Sequence, residues 1–98
     1  GIAVSIDPGF VGYVFARSGL ASKQSLSPVN GVGVIDSAYR GEIKVPLHNH
    51  SDKRQIIDVG DRIAQLVIQP ISLCTPVEVE ELDETDRDVG GFGSSGQK

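Results

Sequence analysis

The chain has 98 residues and a mass of 10.4 kDa, enough for one hydrophobic core and too little for two domains. With 39% hydrophobic and 22% charged residues, and no apolar run near the roughly 18 residues of a membrane helix, it reads as a soluble globular protein. The net charge of -4 is uneven: residues 78–88 hold seven acids against Arg87, while the remainder is slightly basic, which suits a small anionic ligand and argues against duplex DNA.

Valine and isoleucine number 21 against 11 alanines and leucines, and glycine plus proline reach 17, a β-rich composition with many turns. Ile2, Val4 and Ile6 alternate with Ala3 and Ser5 and predict a strand that ends in the turn Asp7-Pro8-Gly9. A second strand is expected over Gly12–Ala16, followed by at most one or two helical turns within Ser18–Ser25. Asn30-Gly31-Val32-Gly33 leads into Val34-Ile35, and after a turn through Asp36–Arg40 the residues Ile43, Val45 and Leu47 alternate with Glu42, Lys44 and Pro46. That pattern predicts a hairpin, with Pro46 marking an edge strand or a bulge. A short strand is expected over Gln55–Val59 and a turn at Gly60-Asp61. Arg62–Gln69, almost continuously apolar, then predicts a strand buried on both faces at the centre of the core. Residues 1–81 form the expected β domain, and 82–98 an acidic tether with a glycine-rich arm. The even spacing of short strands predicts an all-β sandwich or jelly roll.

Candidate chemistry is sparse. The lone Cys74 excludes an internal disulfide and a cysteine zinc site, and no signal-peptide pattern opens the chain, so a cytoplasmic protein is expected. Gly91-Phe-Gly93-Ser-Ser-Gly96 matches G-x-G-x-x-G, but no helix follows it to receive a pyrophosphate, and no lysine completes a P-loop. It is either an ordinary tail or a run of backbone amides and hydroxyls that wraps phosphates, with Phe92 stacked on something. Arg17 and Ser18 are either a surface arginine beside a capping serine or an anion clamp. Asp36 is either a turn former or a carboxylate positioned to take a proton from water. His48 and His50 share a face in an extended strand, as metal ligands can, but no third ligand is evident in the sequence. Gln65, an amide within the most apolar strand, either satisfies a backbone group or points into a site.

Four segments in order resemble the trimeric dUTP pyrophosphatase (dUTPase) family. Arg17-Ser-Gly-Leu-Ala21 is similar to its second motif, Gly33-Val-Ile-Asp-Ser-Ala-Tyr-Arg-Gly-Glu42 to its third, Gly60-Asp-Arg-Ile-Ala-Gln-Leu66 to its fourth and Arg87-Asp-Val-Gly-Gly-Phe-Gly-Ser-Ser-Gly96 to its fifth. The resemblance implies a jelly-roll, β-clip subunit in a homotrimer, with active sites between subunits and the C-terminal arm exchanged onto a neighbour. It implies hydrolysis of dUTP to dUMP and pyrophosphate with magnesium, a reaction that keeps dUTP low and supplies dUMP for thymidylate synthesis.

By the same resemblance Asp36 is the general base, Tyr39 packs under the deoxyribose, and Asn30 with the backbone of Gly33, Val34 and Ile35 reads uracil. Arg17, Ser18, Gly19 and Gln65 fall where phosphates are held, and Lys44 where some relatives place a substrate contact. Arg87, Gly93, Ser94 and Ser95 belong to the arm that grips the terminal phosphates, while Phe92 stacks on the base. Ala16 and Asp88 depart from the family's usual proline and glycine. The first motif, an Ala-Gly-x-Asp-Leu segment whose aspartate helps to hold magnesium, has no counterpart in residues 1–16. The expectation is therefore a chain whose N-terminal strands lie elsewhere, and a magnesium ion held mainly through substrate phosphates with no protein ligand nominated. Two rivals share this fold: a nucleotide- or protein-binding module without turnover, and a relative of dCTP deaminase.

Overall fold

Five of the seven residues in Phe10–Ala16 are valine or aromatic, side chains that fit a pleated surface. In the computed structural model, which describes residues 1–92, this segment is β1 and forms the spine of the molecule. It is followed by α1 (Ser18–Gln24), β2 (Leu26–Pro28), β3 (Gly33–Ile35), β4 (Leu47–Asn49) and β5 (Ala64–Pro70). The expected all-β class holds, with the helix limited to seven residues.

β1 lies between β3 and β5 in a three-stranded antiparallel sheet, with Gly12 opposite Ile35 on one side and Ile68 on the other. β2 and β4 form a separate antiparallel pair. No strand pairs with its immediate successor in the chain, so the topology is crossed rather than meandering. The Asp7-Pro8-Gly9 turn forms as expected: the Phe10 amide donates to the Asp7 carbonyl at 3.1 Å, and Gly9 takes the positive φ (88°) that this turn requires.

Three expectations are corrected. Val34-Ile35 and Ile43–Leu47 do not form a hairpin. β3 pairs with β1 instead, the Ile43 amide donates to the Ile2 carbonyl at 2.8 Å, and the Val29 amide donates to the Pro46 carbonyl at 2.9 Å. The alternation was read correctly, since Ile43, Val45 and Leu47 are half-buried between exposed Glu42, Lys44 and Pro46, but the partner was not. Second, Ile2–Ile6 and Gln55–Val59 are not strands, although Ile6 is buried. Third, β5 is not the buried centre. It pairs only with β1, and Leu66, Val67 and Ile68 remain 40–49% exposed.

The core lies instead around Ile6, Val14 and Ile35, with Val4, Ile43, Val45 and Ala64 packed against it. Gly12 makes that packing possible: a Cβ there would lie 2.9 Å from Ile6 Cδ1 and 3.3 Å from Ile35 Cβ. Beyond β5, residues 71–92 form no strand or helix, and Leu73, Val77, Leu82 and Val89 are exposed. The Cα radius of gyration, 19.0 Å, exceeds the roughly 13 Å of a compact chain of this length. Among the described residues, no helix is long and apolar enough to cross a membrane.

Candidate functional site

β3 carries the chain to the first cleft. Its register against β1 buries Ile35, so the following residue, Asp36, emerges exposed at the strand's end. The loop after it is braced by its own atoms. The Tyr39 amide donates to the Asp36 carbonyl at 3.1 Å, Arg40 Nη1 donates to the carbonyls of Ser37 and Tyr39, and the Tyr39 hydroxyl donates to the Glu42 carbonyl at 2.8 Å. The opposite wall comes from the turn after β2, where the Gly31 amide donates to the Pro28 carbonyl at 3.0 Å and the Val32 amide to the Asn30 carbonyl at 2.8 Å. This turn sets the Asn30 side chain over Gly33, close enough that a Cβ at Gly33 would lie 3.6 Å from Asn30 Nδ2.

Between these walls lies a cavity of about 250 Å³. Asn30, Gly33, Val34, Ile35, Asp36, Tyr39 and Lys44, all nominated from the sequence, line it together with Val14 and Glu42. Its chemistry is an apolar floor, backbone groups of a short strand, one amide, one phenol, two carboxylates and one ammonium, the composition of a small-molecule pocket with a few orienting polar groups. Arg40 and Glu42 were not nominated individually. Their contribution, a guanidinium and a carbonyl that hold the loop, depends on its folded path and was signalled only by their place within the third motif.

A second cleft, of about 180 Å³, gathers Arg17, Ser18, Gly19 and Gln65, with Leu20. Arg17 leaves β1 in an extended conformation and Ser18 opens α1; the Ala21 amide closes the first turn on the Arg17 carbonyl at 2.9 Å. Gln65 reaches in from β5, where it pairs with Phe15, and its Nε2 donates to the Ala16 carbonyl at 2.8 Å. Gln65 thus satisfies a backbone group and lines a cleft at once. Guanidinium, hydroxyl, amide and the first amides of a helix make this a donor-rich surface suited to an anion.

The two clefts share no residue. Arg87 and Phe92 line neither. The Arg87 Nε donates to the Gly90 carbonyl at 2.7 Å, the Gly90 amide returns a bond to the Arg87 carbonyl at 2.9 Å, and Phe92 is wholly exposed. Gly93, Ser94 and Ser95 lie outside the described residues. His48 and His50 do share a face, their rings 4.4 Å apart, with Ser27 Oγ 2.6 Å from His50 Nε2. Among the described residues no three His, Cys, Asp or Glu side chains converge to hold a metal ion.

Comparison with known proteins gives one consistent answer. The family model described as dUTPase matches residues 1–96. The deoxyuridine 5'-triphosphate nucleotidohydrolase of Nocardia farcinica is 57% identical over 98 residues, covering 98% of this chain and 59% of its own, so the chain spans about three fifths of that relative's length. Among solved structures, a variant of the Staphylococcus bacteriophage 80alpha dUTPase with dUpNHpp superposes with a TM-score of 0.80 at 34% identity, covering 96% of this chain and 71% of its own. A variant of the dUTPase from phage phi11 of S. aureus, described for its coordination of a structural Mg(II) ion, gives a TM-score of 0.69 at 34% identity, covering 81% and 67% of the two chains.

Proposed function

The chain belongs to the dUTPase family, and from that premise we propose that it hydrolyses dUTP to dUMP and pyrophosphate by attack of water on the α-phosphorus. The observation that carries this reading is the first cleft, where Asp36, Tyr39 and Asn30 meet around one cavity with the backbone of β3. In the proposed mechanism the Asp36 carboxylate accepts a proton from the attacking water, a contribution of roughly 10²–10⁴-fold. The new P–O bond forms on the α-phosphorus as the bond to the bridging oxygen breaks, and pyrophosphate leaves. Tyr39 packs beneath the deoxyribose and leaves no room for a 2′-hydroxyl. Asn30 and the Gly33–Ile35 backbone pair with the uracil edge, so cytosine, with the opposite donor pattern, leaves buried polar groups unpaired. Lys44, on the rim, contributes a positive charge to the substrate.

The separation of the two clefts supports an assembled site. In the homotrimer proposed here, a triphosphate seated by its nucleoside at Asp36 meets Arg17, Ser18, Gly19 and Gln65 of another protomer. The exposed segment beyond β5 has the length and the free apolar side chains to reach a neighbour, bringing Arg87, Gly93, Ser94 and Ser95 to the terminal phosphates and Phe92 to the base. Magnesium enters as a companion of the triphosphate, since this ion keeps several waters and is commonly held through substrate phosphates. The chain's own side chains, with no convergent donor set among those described, meet it through the substrate. Because its substrate belongs to the nucleotide pool, we assign the protein to the cytoplasm.

The test is pyrophosphate release from dUTP, dTTP, dCTP and UTP supplied separately to the full chain with magnesium. Release from dUTP alone is expected. Equal release from all four overturns the reading, and tight binding of dUpNHpp without release identifies a nucleotide-binding module instead.

A further inference from the structure

The Tyr39 ring is only loosely enclosed. It is 45% exposed, and its hydroxyl is tethered to the Glu42 carbonyl at 2.8 Å. Its position is set as much by the residue beside it as by that bond. A Cβ at position 41 would lie 2.5 Å from the Tyr39 hydroxyl oxygen, 2.6 Å from Cζ and 2.9 Å from Cε1, separations that real Cβ atoms essentially never show. Gly41 is not among the glycines with positive φ, so alanine suits its backbone. The three nearest atoms all belong to the far end of the Tyr39 side chain, so relief of the clash displaces the ring and its bond to Glu42.

We infer that Gly41 is a positioning residue for sugar selectivity: its missing side chain lets the Tyr39 phenol dock on the Glu42 carbonyl, and that docked ring discriminates deoxyribose from ribose. The inference rests on the reading of Tyr39 as the residue beneath the sugar, and it assigns the fixing of that ring to a glycine that itself touches no substrate. Other glycines differ. Gly12 and Gly33 are crowded by core side chains, where an added Cβ presses on Ile6 or Val14 and so on packing. Gly41 is crowded by the ring and hydroxyl of Tyr39, a cleft side chain, at 2.5–2.9 Å.

The experiment uses the full chain and its G41A variant, with dUpNHpp and the corresponding ribonucleotide analogue titrated calorimetrically. For G41A we expect unfolding within about 3 °C of the parent, because surface changes that leave packing intact move stability little. Affinity for dUpNHpp should fall roughly ten- to a hundred-fold, the scale of an ångström-sized misplacement, and the preference for the deoxy analogue should fall about ten-fold with it. In a Y39A background, G41A should change neither quantity by more than about two-fold, since a residue that acts through another has no effect once that partner is gone. In the ligand-free protein, G41A should shift the Tyr39 ring resonances.

An unmoved Tyr39, an unchanged preference, an equal loss in the Y39A background or an unfolded G41A protein each overturns the inference. A parent protein that binds neither analogue overturns the proposed function instead, and the ligand-free spectra still decide whether Gly41 positions the ring.

Discussion

The Asp36 cleft and the Arg17 cleft differ in how they are made. The first is built from two turns of one chain, held by backbone bonds and, in the loop after Asp36, by side-chain bonds as well, around a cavity of about 250 Å³. The second is a smaller group of donors where the end of β1 meets α1, braced by one long-range bond from Gln65 to Ala16. The proposed function gives the first cleft the base and sugar, where selectivity depends on groups that cannot relax around the wrong substrate. The proposed function gives the second cleft the phosphates, which are recognised by charge at several oxygens.

Substitutions on the two sides should therefore separate chemistry and nucleoside recognition from phosphate recognition. The largest effect is expected for Asp36→Asn, which keeps the shape of the first cleft and removes the proton acceptor. Turnover should drop roughly 10²–10⁴-fold while dUpNHpp binds as before, and stopped assays with calorimetry on the same preparation measure both. Normal turnover would remove Asp36 from the mechanism. On the other side, Arg17→Ala deletes charge-assisted bonds and should weaken dUpNHpp about ten- to 150-fold, leaving deoxyuridine binding untouched. An equal loss for both ligands would mean that the clefts are not functionally distinct.

Phe92→Ala probes the arm that neither cleft contains. Loss of one stacking contact predicts an affinity for dUpNHpp lower by roughly five- to 150-fold, read most clearly as faster dissociation in stopped flow. An unchanged dissociation rate would leave Phe92 outside the closed site. The smallest effect is expected for Gln65→Leu, which forfeits the bond to the Ala16 carbonyl. One neutral hydrogen bond corresponds to about a two- to twelve-fold change, confined to the triphosphate analogue, and a matching loss for deoxyuridine would contradict its place in the second cleft.

The resemblance to the dUTPase family nominated Asp36, Tyr39 and Asn30 together; what the residues determined by themselves were the local patterns: the Asp7-Pro8-Gly9 turn, the alternation through Glu42–Leu47 and the short helix after Arg17. Each follows from spacing within a few positions, where backbone geometry leaves few choices. Partners were not legible. Nothing within Val34–Leu47 says that β3 turns back to β1 while Ile43–Pro46 reaches the N-terminal segment and β2, because pairing is decided by contacts among residues far apart in the chain. Nor could the apolar run of β5 reveal its exposure, since apolar content states what a strand can bury and only the surrounding fold decides what covers it. The division of the nominated residues between two clefts is likewise a property of three-dimensional packing, which brought Gln65 to Arg17 in one cleft and set Asp36 in the other.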